Sequence, residues 1–382
     1  MRMTETAVAP MQSWLVAPMD EEVSKAIRRL RRAPDVRHVA VMPDVHLAED
    51  VCIGVAIATS ELLYPQAVGG DIGCGMLAVP FDVEAALVRE PRFAGRVLAR
   101  LGDSIPARRR HRRRAVAMPL DLVTPTLSDP RLEALWSATG TLEFATIGSG
   151  NHFVELQADE SERLWLMVHS GSRALGPAIR DHHLSRAQSV GGGLKCLRSS
   201  EDVGAAYLHD ADLARRFAWA NRRQIALLVE EAVFGAAGSG RLQWAEAITS
   251  DHNHVEHEAH GADRLWVHRK GAMPAWPDQP GVLPGSMGSL SYHVMGRGCP
   301  GALCSSAHGA GRILSRTEAR RSITARELQQ QMGDVWYDFR QADRLRDEAP
   351  GAYKDVRAVA RAQRELVKVV RVLRPVLNYK GA

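Results

Sequence analysis

The sequence predicts an α+β fold, a single mixed α/β domain over residues 1–382 with central sheets and peripheral helices. Three observations lead there. Alternating, strand-like segments dominate the first half and helical periodicities are interspersed later. Their order is not the regular β-α-β alternation of a doubly wound sheet. Glycine- and serine-rich pieces (GSGN at 148–151, GGG at 191–193, PGSMGSLS at 284–291) are scattered rather than gathered at one boundary. No linker is therefore read, only an inserted or flexible loop around 185–205.

The elements follow in order. EEVSKAIRRLRRAPD (Glu21–Asp35) has apolar residues at helical spacing and ends near a proline, which predicts a helix. VRHVAVMPD alternates like a strand and is expected to stop at Pro43. IGVAIATS and MLAVPFDV read as strands, and RLWLMVHSGSR as a strand running into a turn of small residues. Leu208–Gly235 is a long amphipathic helix. WAEAITSDHNHVEHE is a short apolar run followed by polar residues, and the C-terminal DVRAVARAQRELVKVVRVL (Asp355–Leu373) reads as another helix.

Composition bounds the function. At 382 residues, 45% hydrophobic and 24% charged, the chain is long enough for a sizeable core. Aromatics are only 5%, so no broad base-stacking surface is advertised. The net charge of +5 is unevenly placed: residues 108–114 hold six arginines and a histidine. Such a run is not expected in a core. It reads as a solvated loop or as a contact for an anionic polymer, with Arg109, Arg110, Arg112 and Arg113 adding salt-dependent affinity. Five cysteines without paired spacing, no signal-peptide pattern and no long apolar run predict a reducing, cytoplasmic setting and no membrane partner.

Two chemical themes emerge. Asp71 and Cys74 stand three apart in AVGGDIGCGM, and His46, His152, His169, His252 and His308 lie in short polar contexts. Thiolate, imidazole and carboxylate form a mixed donor set for zinc, manganese or iron. The lack of CxxC and HExxH argues against a zinc finger or a zincin. A thiolate shared by two cations would begin a two-metal site, although such a cysteine taken alone reads as an inert buried thiol. The second theme is phosphate. HSGSR (169–173) and HGAGRILSR (308–316) combine small residues, hydroxyls and arginine, as anion-binding turns do. Neither a Walker loop nor a GxGxxG is present.

MPDVH, AVGGDIGCGM, GSGNHFVEL, VHSGSR, the HN of DHNHV, HRKGAMPA, PGSMGSLSY, SSAHGAGRILSRT, EAPGAYKD and VLNYKG, running from residue 42 to 381, together resemble the RtcB family of RNA ligases. The resemblance implies an RtcB-like fold and a GTP- and Mn²⁺-dependent joining of RNA 3′-phosphate or 2′,3′-cyclic phosphate ends to 5′-hydroxyl ends, in tRNA splicing or RNA repair. It implies His308 as the nucleophile that becomes guanylylated, with Asp44 acting close by. Asp71, Cys74, His152, His169 and His252 match ligands of two Mn²⁺, Cys74 bridging. Asn151, Phe153, Glu155, Asn253, Ser286, Ser291, Tyr353 and Lys380 match GTP contacts. A carboxylate such as Glu155 accepts from guanine N1–H and N2–H₂, which adenine lacks. Arg173, Arg312 and Arg316 are the expected contacts to RNA phosphate. An archease-type activator is compatible with the resemblance.

The sequence departs from the family pattern in places. LAED follows MPDVH where a glycine-containing turn is usual, Gly70 stands where valine is usual, and the arginine run is not a family signature. His252 is one of four histidines within nine residues, and its assignment rests on the adjacent Asn253. A specialised paralogue with another RNA substrate, a non-ligating RNA-binding paralogue and a metal-dependent cyclic phosphodiesterase remain open at this stage.

Overall fold

The computed structural model describes residues 8–381. Two large sheets organise them. A five-stranded sheet has the order Met11–Ser13, Val36–His46, Ile53–Thr59, Asp263–Lys270, Asn253–His260. A seven-stranded sheet has the order Ile248–Asp251, Gly75–Glu84, Arg163–Ser170, Phe153–Ala158, Val367–Tyr379, Ser291–Gly296, Pro280–Leu283. Its pairings are antiparallel throughout. The sheets share a core in which Met42, Ala56 and Ala58 of one meet Leu283, Tyr292 and Val294 of the other.

Helices cover the outer faces. Glu21–Arg31 turns Val23, Ile27 and Leu30 onto the five-stranded sheet. Asp20 caps it by accepting from the Val23 amide, and its last turn is basic, which complements the helix dipole. The long helix Asp202–Ala237 and the helix Pro91–Ser104 pack on the seven-stranded sheet against Leu77, Val79, Leu166 and Val168. Strand alternation does the sorting: Leu77, Val79, Val154 and Val168 face these helices, while Met76, Phe153 and Met167 face the other way. His169, Phe153 and Met76 are register partners across three strands. The inner face is therefore the floor on which the functional side chains gather.

Four expectations are corrected. The C-terminal helix is only Val356–Ala362, and Val367–Tyr379 is a strand. Its valine-rich run finds pairing partners on both sides, Ser291–Gly296 and Phe153–Ala158, and those ladders override the local helical spacing. The strand from Val36 passes through Pro43 to His46, and its ladder is interrupted between Val41 and His46, where the proline cannot donate. Residues 188–198 form a hairpin in a small sheet, held through the Gln66 side chain to Gly193 and Lys195. Strands are as prominent after residue 240 as before it, because the polar histidine block is itself a strand.

Candidate active site and metal centre

The segment AVGGDIGCGM leads into the strand Gly75–Glu84. Gly73 adopts φ +72°, and a Cβ there would lie 2.7 Å from the Arg215 Cα of the long helix. Glycine is thus required for the turn that delivers Cys74. A Cβ on Gly171 would collide with the Asp71 carboxylate. Gly70 has no such backbone demand. A Cβ there would meet the Arg180 guanidinium at 3.0 Å, so in this chain an arginine occupies the space beside that position.

Around this turn the sequence-expected donors converge. Cys74 Sγ lies 3.4 Å from His152 Nε2 and 3.2 Å from His169 Nε2. Asp71 Oδ2 lies 2.9 Å from His152 Nε2, and His252 Nε2 lies 3.3 Å from His169 Nε2. His169 commits its Nδ1–H to the Asn151 carbonyl at 3.0 Å, which leaves its Nε2 lone pair facing Cys74 and His252. Burial holds the His169 and His252 imidazoles neutral, well below the usual histidine range. Burial and the Asp71 charge push the Cys74 thiol well above its ordinary value. The Asp71 carboxyl, despite its burial, is drawn down to about 2 by His152 and Arg173.

These groups are lone-pair donors crowded together without enough protons to satisfy one another. That is the donor chemistry of a transition-metal site, and a cation would take the place of the thiol proton. The residues fit the metal that the motifs imply.

Of the four histidines in the 252–260 block, His252 alone joins the cluster. His254 is buried beside Arg269, His257 stacks on Trp266 at 4.5 Å, and His260 meets Glu258. Backbone bonds fix the choice: the His252 amide donates to the Cys74 carbonyl at 2.9 Å and the Gly73 amide to the Asn253 carbonyl at 2.8 Å.

His308 sits next to the cluster, its ring centroid 4.6 Å from that of His252. Its Nδ1 faces Asp44 Oδ2 at 2.7 Å, and Asp44 is fully buried. The carboxylate accepts the Nδ1–H, which leaves Nε2 as the ring nitrogen that Asp44 does not engage. Asp44 is delivered from the interrupted part of its strand. Lys354 steadies that segment by donating to the Pro43 and Val45 carbonyls at 3.0 and 2.7 Å.

A cleft of about 1080 Å³ opens over His308 and His169. Asn151, Phe153, Glu155, Ser286, Ser291, Tyr353, Lys380, Arg312 and Arg316 line it. Asn378 and Gln157 each donate to the Glu155 carboxyl at 2.6 Å, and burial pushes its pKa up to about 8. Asn253, also expected among the nucleotide contacts, donates from its amide to the Asp71 carbonyl at 3.0 Å and accepts from the Gly271 amide at 2.8 Å, so it braces the turn that carries Asp71 and Cys74. Arg173 reaches Thr146 and His152. Arg312 and Arg316 both meet Glu348.

Glu348 went unnamed in the sequence, although the EAPGAYKD block contains it. Buried, it receives Lys380 Nζ and the Tyr353 hydroxyl at 2.7 Å each. Those two and the two arginines form one network at the wall of the cleft. Burial alone would raise its pKa, but Lys380 and Arg316 hold it below the ordinary carboxylate range.

The arginine run also needs correction. Arg110 is buried. It donates to the carbonyls of Ser104, Phe144 and Ala145 at 2.6, 3.1 and 2.7 Å. These lie at the C-terminal ends of Pro91–Ser104 and Pro130–Glu143, where helices leave carbonyls unpaired and favour positive charge. Arg108, Arg112, Arg113 and Arg114 are exposed. No helix among the described residues is long and apolar enough to cross a membrane.

Fold and site together define a class: an α+β protein whose paired sheets gather a sulfur, nitrogen and oxygen donor cluster beside a carboxylate-oriented imidazole. Comparison with known proteins narrows the class to a family. The family model described as "tRNA-splicing ligase RtcB" matches residues 26–137 and 124–381. The chain is 32% identical to the RNA-splicing ligase RtcB of Escherichia coli K12, over 98% of each protein. It is 32% identical to RNA-splicing ligase RtcB2 of E. coli ATCC 25922, over 94% of this chain and 93% of that protein. To the tRNA-splicing ligase RtcB of Pyrobaculum aerophilum it is 31% identical, over 67% of this chain and 63% of that protein. The chain belongs to the RtcB family of RNA ligases.

Proposed function

We propose that this chain is one catalytic unit that joins RNA 3′-phosphate or 2′,3′-cyclic phosphate ends to 5′-hydroxyl ends, using GTP and Mn²⁺, in a cytoplasmic setting. The observation that carries the reading is the Asp44–His308 pair beside the donor cluster. With Nδ1–H held by Asp44, His308 Nε2 attacks the α-phosphorus of GTP. A P–N bond forms while the P–O bond to pyrophosphate breaks. An oxygen of the RNA 3′-phosphate then attacks the same phosphorus and breaks the P–N bond, which restores His308. The 5′-hydroxyl oxygen attacks the RNA 3′-phosphorus and expels GMP. A cyclic phosphate is first opened by hydrolysis.

Asp71, Cys74, His152, His169 and His252 would hold two Mn²⁺, and the ions would supply charge neutralisation for the phosphates. Glu155 has acceptor capacity left beyond the bonds from Asn378 and Gln157, and guanine N1–H and N2–H₂ fit it. Asn151, Phe153, Asn253, Ser286, Ser291, Tyr353 and Lys380 would line the nucleotide's seat. Arg173, Arg312 and Arg316 would meet the incoming RNA phosphate, the latter two by exchanging Glu348 for it.

The test is a labelling experiment with radiolabelled GTP and Mn²⁺, followed by ligation of defined 3′-phosphate and 5′-hydroxyl RNAs across several divalent metals. An acid-labile adduct on the wild type that is absent from His308→Ala supports the reading. No adduct, or the same adduct on the variant, overturns it. Opening of cyclic phosphate without joining would instead identify a phosphoesterase.

A further inference from the structure

Arg222 projects from the middle of the long helix Asp202–Ala237, with its side chain 1% exposed. A guanidinium so deeply buried requires partners, because the cost of leaving its charge unpaired is high. It has three. Its NH1 group donates to the Gly73 carbonyl at 2.8 Å and to the Ser170 carbonyl at 2.9 Å. Its NH2 group donates to Asp251 Oδ1 at 2.6 Å. Each partner is the chain neighbour of a metal-donor residue: Gly73 of Cys74, Ser170 of His169, Asp251 of His252.

The three segments belong to adjacent strands of the seven-stranded sheet, in the order Ile248–Asp251, Gly75–Glu84, Arg163–Ser170. The donors sit at or beside the ends of these strands, where the last register pairs are Asp251 with Gly75 and Gly75 with Ser170, and Arg222 adds a side-chain tie across all three. We infer that Arg222 is a positioning residue for the metal centre, one rigid fork that spaces the three strand ends carrying Cys74, His169 and His252. Its neighbour Asn221 adds bonds to the Ser170 hydroxyl and the Thr146 carbonyl, at 3.0 Å each. The contribution is geometric. A second cation near a metal site repels it, and Asp251 offsets that charge. A lysine would keep the charge but has no planar fork to reach three partners.

The inference rests on the reading of Asp71, Cys74, His152, His169 and His252 as Mn²⁺ ligands, and the experiment separates the two. Mn²⁺ binding to the full chain is measured by calorimetry for the wild type, Cys74→Ala, Arg222→Lys and Asp251→Ala. Co²⁺ absorption in the thiolate charge-transfer region is recorded alongside, with folding checked by circular dichroism in EDTA. Wild-type binding that Cys74→Ala weakens or abolishes supports the metal reading. No wild-type binding, or unchanged binding by Cys74→Ala, overturns that reading and this inference with it. Given wild-type binding, Arg222→Lys is expected to weaken Mn²⁺ by about 10- to 100-fold, the usual effect of losing a residue that orients ligands. It should also alter the Co²⁺ band while remaining folded. A folded Arg222→Lys with wild-type affinity and band overturns the positioning role alone. If Arg222→Lys does not fold, the Co²⁺ thiolate band of folded Asp251→Ala decides, since that variant releases the strand end carrying His252 from the fork. An altered band supports the role, and a wild-type band overturns it.

Discussion

His308 donates from Nδ1 to Asp44 Oδ2 across 2.7 Å, joining residues 264 positions apart in the chain. On the proposed function this bond orients the ring so that Nε2 is the nitrogen that attacks phosphorus. Replacing Asp44 with alanine is expected to slow guanylylation by roughly 10²- to 10⁴-fold, the scale at which a carboxylate that orients a histidine contributes. Single-turnover labelling with GTP measures it. A variant as fast as the wild type would show that the bond has no part in the chemistry.

Lys354 holds the backbone on both sides of Asp44. Lys354→Met should lower the guanylylation rate by about tenfold, the effect of a small misplacement at a reacting centre. The KM for GTP should change much less. Lys354→Arg should recover part of the rate. A change confined to KM would contradict this positioning role.

On the proposed function, Glu155 should make the nucleotide step depend on pH. Burial raises its carboxyl to about 8, so below that pH the neutral form predominates. Guanine N1–H and N2–H₂ prefer the carboxylate, and GTP affinity should therefore rise as pH increases through about 8. The same shift bears on stability. The folded pKa lies above the ordinary glutamate value, so the free protein loses stability as pH climbs from that value to about 8. Bound GTP should offset the loss. Titrations of wild type and Glu155→Gln between pH 6.5 and 9 test this, the variant being expected to show a flat profile and a weaker preference for GTP over ATP.

The arginine run divides into two roles. Changing Arg112, Arg113 and Arg114 to serine should weaken RNA binding at low salt and reduce the slope of log affinity against log salt by ~2, as expected for three lost contacts to a single strand. Guanylylation should be unaffected. Arg110→Met should instead cost about 3 kcal/mol of stability, because three buried helix-end carbonyls lose a charged donor. Filter binding at several salt concentrations and denaturant melts distinguish the two. Equal RNA affinity after the triple change would place that loop outside the RNA path.

The chemistry was legible in the sequence where it depends on residue type and local spacing. Asp71 and Cys74 lie three apart around a glycine turn, and MLAVPFDV and RLWLMVHS read as the strands they form. The family motifs carried the rest of the donor set. Less legible were roles that depend on a partner far along the chain. Arg110 looked like one more solvated charge until two helix ends closed around it. That both ends of the Asn253 amide brace the Asp71 turn and Gly271 was not visible in its motif either.

By itself, then, the sequence determined the α+β class and the family, because strand alternation, turn glycines and family motifs are written in residues near one another. Tertiary structure alone decided that Val367–Tyr379 is a strand rather than a helix, and it seats His252 beside His169 as the motif had implied. It also decided that Arg222 spans three strand ends. Each of those outcomes turns on hydrogen bonds between segments tens to hundreds of residues apart, and such bonds exist only once the sheets have paired and the long helix has packed against them.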